Sequence, residues 1–298
     1  MNNGVTVDLA ELIGLRFSVS KLHLFSPLKT SQQQSGTKTS SHLGRGMDFA
    51  KVRPYQAGDD VRHINWRLTA RTGKPFSKVY QEERERPVYV LVDQSASMRF
   101  GTRNCFKSVL AARIAALITW ASLQHNDQIG GTVFTDTQLQ TIKPKRQRKT
   151  ALQFLDAIVT VSQASTQAGT DNQLTRSLKN LQRNIHAGSI VVLITDGMQL
   201  NAENKILIQG LSQHNTVLCI MPFDPIERAA PKKNLFHFTD GEAQLEFDGY
   251  GKQAILAYQQ LFTTRYDALV QLSQQCRLQL LPLATNANLI DELNKVRM

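Results

Sequence analysis

Cysteine is scarce in this chain. Cys105, Cys219 and Cys276 are its only three in 298 residues and stand far apart, so neither a disulfide framework nor a cysteine-ligated zinc site is expected. Long hydrophobic runs are lacking too. The longest nearly apolar stretch, Ser108–Leu123, is interrupted by Arg113 and falls short of the ~20 residues that a membrane helix needs. The N-terminus, MNNGVTVDLAELIG, has no basic segment followed by an apolar core, so no signal peptide is expected. The 7 histidines show no ligand spacing, and no G-x-x-x-x-G-K-[ST] loop, serine nucleophile elbow or H-E-x-x-H motif occurs. Those lacks speak against a P-loop nucleotidase, a serine hydrolase and a zinc protease. The expectation is a soluble cytoplasmic protein of a reducing compartment, with no transmembrane segment.

What the chain has is a packed-core composition with excess positive charge. Hydrophobic residues make up 41% and charged residues 20%, which argues against global disorder. The formal net charge is +11. Residues 1–87 carry 14 basic and 8 acidic side chains, whereas the surplus in the remainder is accounted for by Lys143, Lys145, Arg146, Arg148 and Lys149. The N-terminal charges alternate in sign (Asp59-Asp60-Val-Arg62; Glu82-Glu83-Arg84-Glu85-Arg86). That alternation reads as internal ion pairing rather than a phosphate-tracking face, and Lys143–Lys149 reads as a solvated basic loop.

Three domains are expected: an N-terminal arm and polar linker over 1–43, an Arg/Asp-rich, β-rich segment over 44–86, and an α/β domain over 87–298. Residues 6–25 read as a short helix or extended arm, and Lys29–Ser41 as a polar linker. In the α/β region, Val88–Val92 and Ser189–Thr195 are continuous apolar runs, the mark of strands buried on both faces. Thr216–Phe223 and Arg277–Leu283 read as further strands. Ile129–Phe134 and Gln138–Ile142 read as a hairpin turning at Asp136. Helices are expected at Asn104–Gln124, Thr150–Val161, Asn172–Asn184, Ala202–Gln213, Gly251–Gln275 and Asn286–Val296. Core strands alternating with helices predict a doubly wound, mostly parallel sheet covered on both faces, with a small β-rich subdomain before it.

In such sheets, ligands bind outside the carboxyl ends of the strands. The first core strand runs into Asp93-Gln94-Ser95-Ala96-Ser97, a D-x-S-x-S loop. The Ser189–Thr195 strand runs into Asp196-Gly197, and Ala168-Gly169-Thr170-Asp171 precedes a helix. Together these loops offer two carboxylates, Asp93 and Asp196, and three hydroxyls, Ser95, Ser97 and Thr170. A set of hard oxygens with few formal charges suits Mg²⁺, with Mn²⁺ or Ca²⁺ as alternatives, and not zinc. An ion held by so little negative charge stays electrophilic and open to a partner's acidic side chain.

The order and spacing of these motifs resemble a von Willebrand factor A domain with its metal-ion-dependent adhesion site. By position the resemblance maps that site onto Asp93, Ser95, Ser97, Thr170 and Asp196. Upstream, Gly44-Arg-Gly-Met-Asp-Phe, Arg53-Pro-Tyr55, Ala57-Gly-Asp-Asp60, Val-Arg62-His-Ile-Asn-Trp66 and Thr69-Ala-Arg71, with Asp224-Pro-Ile-Glu227 and Thr239-Asp240 downstream, resemble the bacterial family called domain of unknown function 58. That resemblance implies a protein-interaction adaptor working with a MoxR-type AAA+ ATPase and its client in protein assembly or remodelling.

The residues, with what the resemblance implies, lead to the expectation of a metal-dependent adaptor that is not an enzyme. Arg53, Arg62 and Arg71 are either part of a salt-bridged scaffold or a surface for an acidic partner. Two alternatives differ in kind. A phosphoester-processing metal enzyme with Asp93 as nucleophile would want a second carboxylate where Ser95 stands. A nucleic-acid-binding protein would use the basic loops but lacks a recognisable module.

Overall fold

The structure is a computed structural model and describes residues 4–24, 47–82, 86–164, 172–229, 235–239 and 244–296. The linker expected at Lys29–Ser41 and the site candidate Thr170 lie outside the described residues. The chain divides into two compact units, Met1–Pro27 with Arg86–Met298, and Leu28–Glu85.

Helix α1 (Leu9–Gly14) starts the larger unit, with the Asp8 side chain accepting a hydrogen bond from the Glu11 amide as its N-cap. The smaller unit follows. Strand β1 (Met47–Pro54) pairs antiparallel with β2 (Phe76–Glu82), and helix α2 (Trp66–Thr72) lies between them in sequence. Asn65 caps α2, its side chain accepting from the Leu68 amide, because an Asn side chain can satisfy a helix's first free N–H groups. Arg53 pairs with Asp59 at 2.5 Å. Hydrogen bonding from the Gln56 amide, then from Arg53, holds the Asp59 carboxyl below the ordinary range. Arg62, Arg71 and Trp66 are exposed.

The larger unit resumes with β3 (Pro87–Asp93), α3 (Lys107–Gln124), β4 (Gln128–Phe134), β5 (Leu139–Lys145), α4 (Arg148–Gln163) and α5 (Gln173–Asn184). It continues with β6 (Ile190–Ile194), α6 (Ala202–Ser212), β7 (Thr216–Phe223), α7 (Pro225–Arg228), β8 (Leu235–Thr239) and β9 (Gln244–Asp248). Helix α8 (Lys252–Cys276), β10 (Gln279–Ala284) and α9 (Leu289–Leu293) close it. Among the described residues, the main sheet has six strands in the order β10-β7-β6-β3-β4-β5. All neighbours are parallel except β4 and β5, which form the hairpin expected at Asp136.

Alternation along the strands sends side chains to two cores. On one face, Val88, Val90, Val92, Ile190, Val192 and Ile194 pack with α3 and α4. On the other, Leu91, Val191 and Leu193 pack with α5, α6 and α8. This double burial is why both strands read as unbroken apolar runs.

The N-terminal arm differs from its expected place outside the α/β domain. Helix α3 is apolar around its whole circumference and buried from Lys107 to Ser122 apart from Arg113, so the sheet and α4 leave one side to be covered. Residues 4–24 cover it. Leu12 is fully buried, the Trp120 indole N–H donates to the Leu12 carbonyl at 2.9 Å, and Arg113 pairs with Glu11 at 2.6 Å.

The expected basic loop also resolves differently. Lys143 and Lys145 belong to β5, with Arg148 and Lys149 in the first turn of α4. Lysines and Pro144 on a sheet edge discourage pairing with another chain, which is what an edge strand needs. Among the described residues no helix is long and apolar enough to cross a membrane.

Candidate metal centre

Sheet order sets the location of the site. From β3 the chain passes to β4 on one side and later returns to β6 on the other, so the winding reverses between β3 and β6. A crevice opens at such a reversal, outside the carboxyl ends of the strands. Asp93 is the last residue of β3, and Asp196 lies two residues past the end of β6.

Asp93 is fully buried. Its Oδ1 accepts from the Ser95 amide at 2.9 Å and from the Ser95 hydroxyl at 2.6 Å, and its Oδ2 accepts from the Thr195 hydroxyl at 2.7 Å. The Ser95 and Ser97 hydroxyl oxygens are 3.3 Å apart. A 3₁₀ turn over Ala96–Met98 curls the loop, and fully buried Met98 pins it. The Gln94 amide donates to the Phe134 carbonyl, carrying the β3–β4 pairing one step further.

Asp136, at the β4–β5 turn, clamps the rim from outside. It accepts from the Ala96 amide at 2.7 Å and from the Gln199 side chain at 3.3 Å, joining the loops that follow β3 and β6. The segment after Thr170 re-enters here as well: the Asn172 side chain caps α5 and donates to the Gln199 carbonyl at 2.6 Å.

Asp196 has a different environment. Gly197, at φ +81°, makes the turn with a conformation that disfavours other residues, and the Met198 amide donates to Asp196 Oδ1 at 3.0 Å. The ammonium of Lys107, itself 1% exposed, donates to Asp196 Oδ2 at 2.8 Å and to Glu227 Oε1 at 3.0 Å. Arg265 reaches Glu227 at 3.1 Å and Asp196 at 3.9 Å. Glu227 is fixed by a capping box with Asp224 at the start of α7. Burial alone would raise Asp224, but amide and hydroxyl donors from Ile226, Thr102 and Thr285 outweigh it and hold its carboxyl below the usual range.

The two site carboxylates consequently behave in opposite ways. Burial, then the charge of Asp196, pushes the Asp93 carboxyl up to about 7 against the hydrogen bonds of Ser95 and Thr195. Burial would raise Asp196 too, but the charge and hydrogen bond of Lys107 overcome it and lower its pKa. Among the described residues, the hydrogen-bond partners of Asp93 are neutral hydroxyls and an amide, whereas Asp196 sits in a buried network of fixed charges.

Against the expected ligand set, Asp93, Ser95 and Ser97 come together as converging hard oxygens. That donor set fits a small divalent cation, which would compensate a buried carboxylate lacking a cationic partner. Asp196 is close enough to act on Asp93 but is already engaged by Lys107. No group of three or more His, Cys, Asp or Glu side chains suited to a metal occurs among the described residues, so any ion here would rest on hydroxyls and water as much as on carboxylates. Sequence reading missed Lys107, Thr195, Asp136 and Arg265. Only Thr195 carried a signal, standing beside Asp196 at the end of an apolar strand. The three cysteines are buried, with Cys219 pushed up to about 12 by burial and so held as an unreactive thiol.

Fold and rim together define an α/β protein with a cluster of oxygen-bearing side chains at its topological switch point. The chain belongs to the family described as Protein of unknown function DUF58, whose family model matches residues 51–263. The uncharacterised protein Rv1480 of Mycobacterium tuberculosis is 29% identical over 221 residues, spanning 72% of this chain and 68% of that protein. The uncharacterised protein Mb1516 of Mycobacterium bovis matches to the same extent. Among solved structures, an aerotolerance-related membrane protein from Bacteroides fragilis is similar at 15% identity and TM-score 0.47, over 71% of this chain and 96% of that one. A von Willebrand factor type A protein from Catenulispora acidiphila is similar at 13% identity and TM-score 0.42, over 74% and 43%.

Proposed function

We propose that this protein is a metal-dependent interaction module that captures an acidic side chain of a protein partner. The observation that carries this reading is the fully buried Asp93 carboxylate with the Ser95 and Ser97 hydroxyls converging beside it at the carboxyl edge of the sheet. A Mg²⁺ ion held there would offer an open coordination position to an incoming carboxylate. Ser97 is only half-buried and Ala96 is exposed, so the cluster faces outward on that side. Ser95 occupies the position where a hydrolase working through Asp93 would want a second acid or base, which favours binding over turnover.

Apolar surface lies next to the Asp196 network. Met198, 58% exposed, and Leu261, 71% exposed, help line a groove of about 590 Å³ that also includes Glu227 and Arg265 of the buried charge network. The family resemblance makes a MoxR-type AAA+ ATPase, or the client it acts on, the partner of first choice. The test is capture of that ATPase and of clients with Mg²⁺ and with EDTA, using wild-type and Asp93→Ala chains. Capture is expected only from wild type with Mg²⁺. Equal capture in all four conditions overturns the reading.

A further inference from the structure

The buried ammonium of Lys107 lies where a metal site would gain a second carboxylate. Its partners are Asp196 at 2.8 Å and Glu227 at 3.0 Å, and its side chain is 2% exposed. It sits at the first position of α3, which is otherwise buried among apolar residues, and its backbone amide donates to the Phe100 carbonyl. Its ammonium is thus held beside Asp196 by burial and by two ion pairs. Arg265 brings a second positive charge to the same two carboxylate oxygens, at 3.9 Å from Asp196 and 3.1 Å from Glu227.

We infer that Lys107 is a built-in cation that sets the affinity of this site for divalent ions. It takes Asp196 out of ligation, leaving an incoming ion to Asp93, Ser95 and Ser97, and it repels that ion from inside the protein. In a medium of low dielectric both effects are large compared with the same charges in water. An ion bound under these conditions has few anionic ligands, so its positive charge is conserved for an external carboxylate. The buried lysine thus exchanges intrinsic metal affinity for partner dependence.

This inference rests on the metal reading above but can fail separately from it. Mn²⁺ binding is followed by the electron paramagnetic resonance of the free ion, with full-length wild type, Asp93→Asn, Lys107→Met, Lys107→Met/Asp196→Asn and Glu227→Gln. Wild type is expected to bind weakly and Asp93→Asn not at all. Lys107→Met should bind about tenfold tighter or more, a gain of about 1.4 kcal/mol, and the double variant should lose that gain. If Lys107→Met proves too unstable to isolate, Glu227→Gln decides. It keeps Lys107 and removes an opposing negative charge, so Mn²⁺ should bind more weakly than to wild type. Unchanged affinity in Lys107→Met, or in Glu227→Gln where that variant decides, overturns the role of Lys107 while leaving the metal site standing. No Asp93-dependent binding in any chain overturns both.

Discussion

Asp93 shows how one burial decision changes the chemistry of a side chain. Its ordinary value is 3.8, and burial with the nearby Asp196 charge raises it to about 7 in the folded protein. A folded value above the unfolded one means that the native state holds the proton more tightly. The stability this contributes is complete below about pH 3.8 and is lost as pH rises through about 7. In EDTA, the melting temperature of wild type is therefore expected to fall between those values. The slope from this group is at most about 1.4 kcal/mol per pH unit, and Asp93→Asn should flatten it. Identical pH profiles for the two chains would show that Asp93 is not the titrating group. Mg²⁺ added at the alkaline end should raise the wild-type melting temperature and leave Asp93→Asn unmoved; a matching rise in both would place the ion elsewhere.

At the scale of elements, the sheet and α3 depend on close approach and on cover. Gly131 in β4 has room for no side chain: an added Cβ would overlap the Val90 carbonyl oxygen and press on the Phe154 ring at 2.9 Å. Backbone oxygen cannot yield as a flexible side chain does, so Gly131→Ala should cost about 3 kcal/mol or more in chemical denaturation. A loss below about 1 kcal/mol would mean that β3 and β4 separate more readily than their register suggests. Leu12, fully buried where α1 meets α3, gives the complementary test. Leu12→Ala should cost about 2–5 kcal/mol if the N-terminal segment is part of the core, and almost nothing if it is a loose arm. The site depends on the same elements, because α3 starts with Lys107 and the β4–β5 turn supplies Asp136.

Across the whole molecule, Leu28–Glu85 interrupts a unit whose two parts are Met1–Pro27 and Arg86–Met298. Each unit has its own hydrogen-bonded elements and, in the larger one, its own cores. Replacing residues 28–85 by a flexible Gly/Ser linker is expected to leave a chain that melts in one cooperative transition and keeps Asp93-dependent Mn²⁺ binding. A molten or aggregated product would show that the smaller unit is needed to complete the larger. The positive surplus after residue 87 lies on an edge strand, the first turn of its neighbouring helix and, for Arg146, the bend between them, a place where charge protects against sheet extension.

Sequence by itself determined the sheet, because strands buried on both faces leave unbroken apolar runs and amphipathic helices leave their period. Val88–Val92 and Thr216–Phe223 needed no tertiary context to be read. It also determined that Asp93, Ser95 and Ser97 share one loop, since alternate residues on a turning segment bring their oxygens together. Only the tertiary structure decided that residues 4–24 belong to the core, because a six-residue helix carries too few apolar positions to display a period. Only it paired Asp196 with Lys107, 89 residues away along the chain. A lysine at the start of an apolar helix looks the same in sequence whether it faces water or a buried carboxylate, and the folding of α3 beneath the β6 rim settled which.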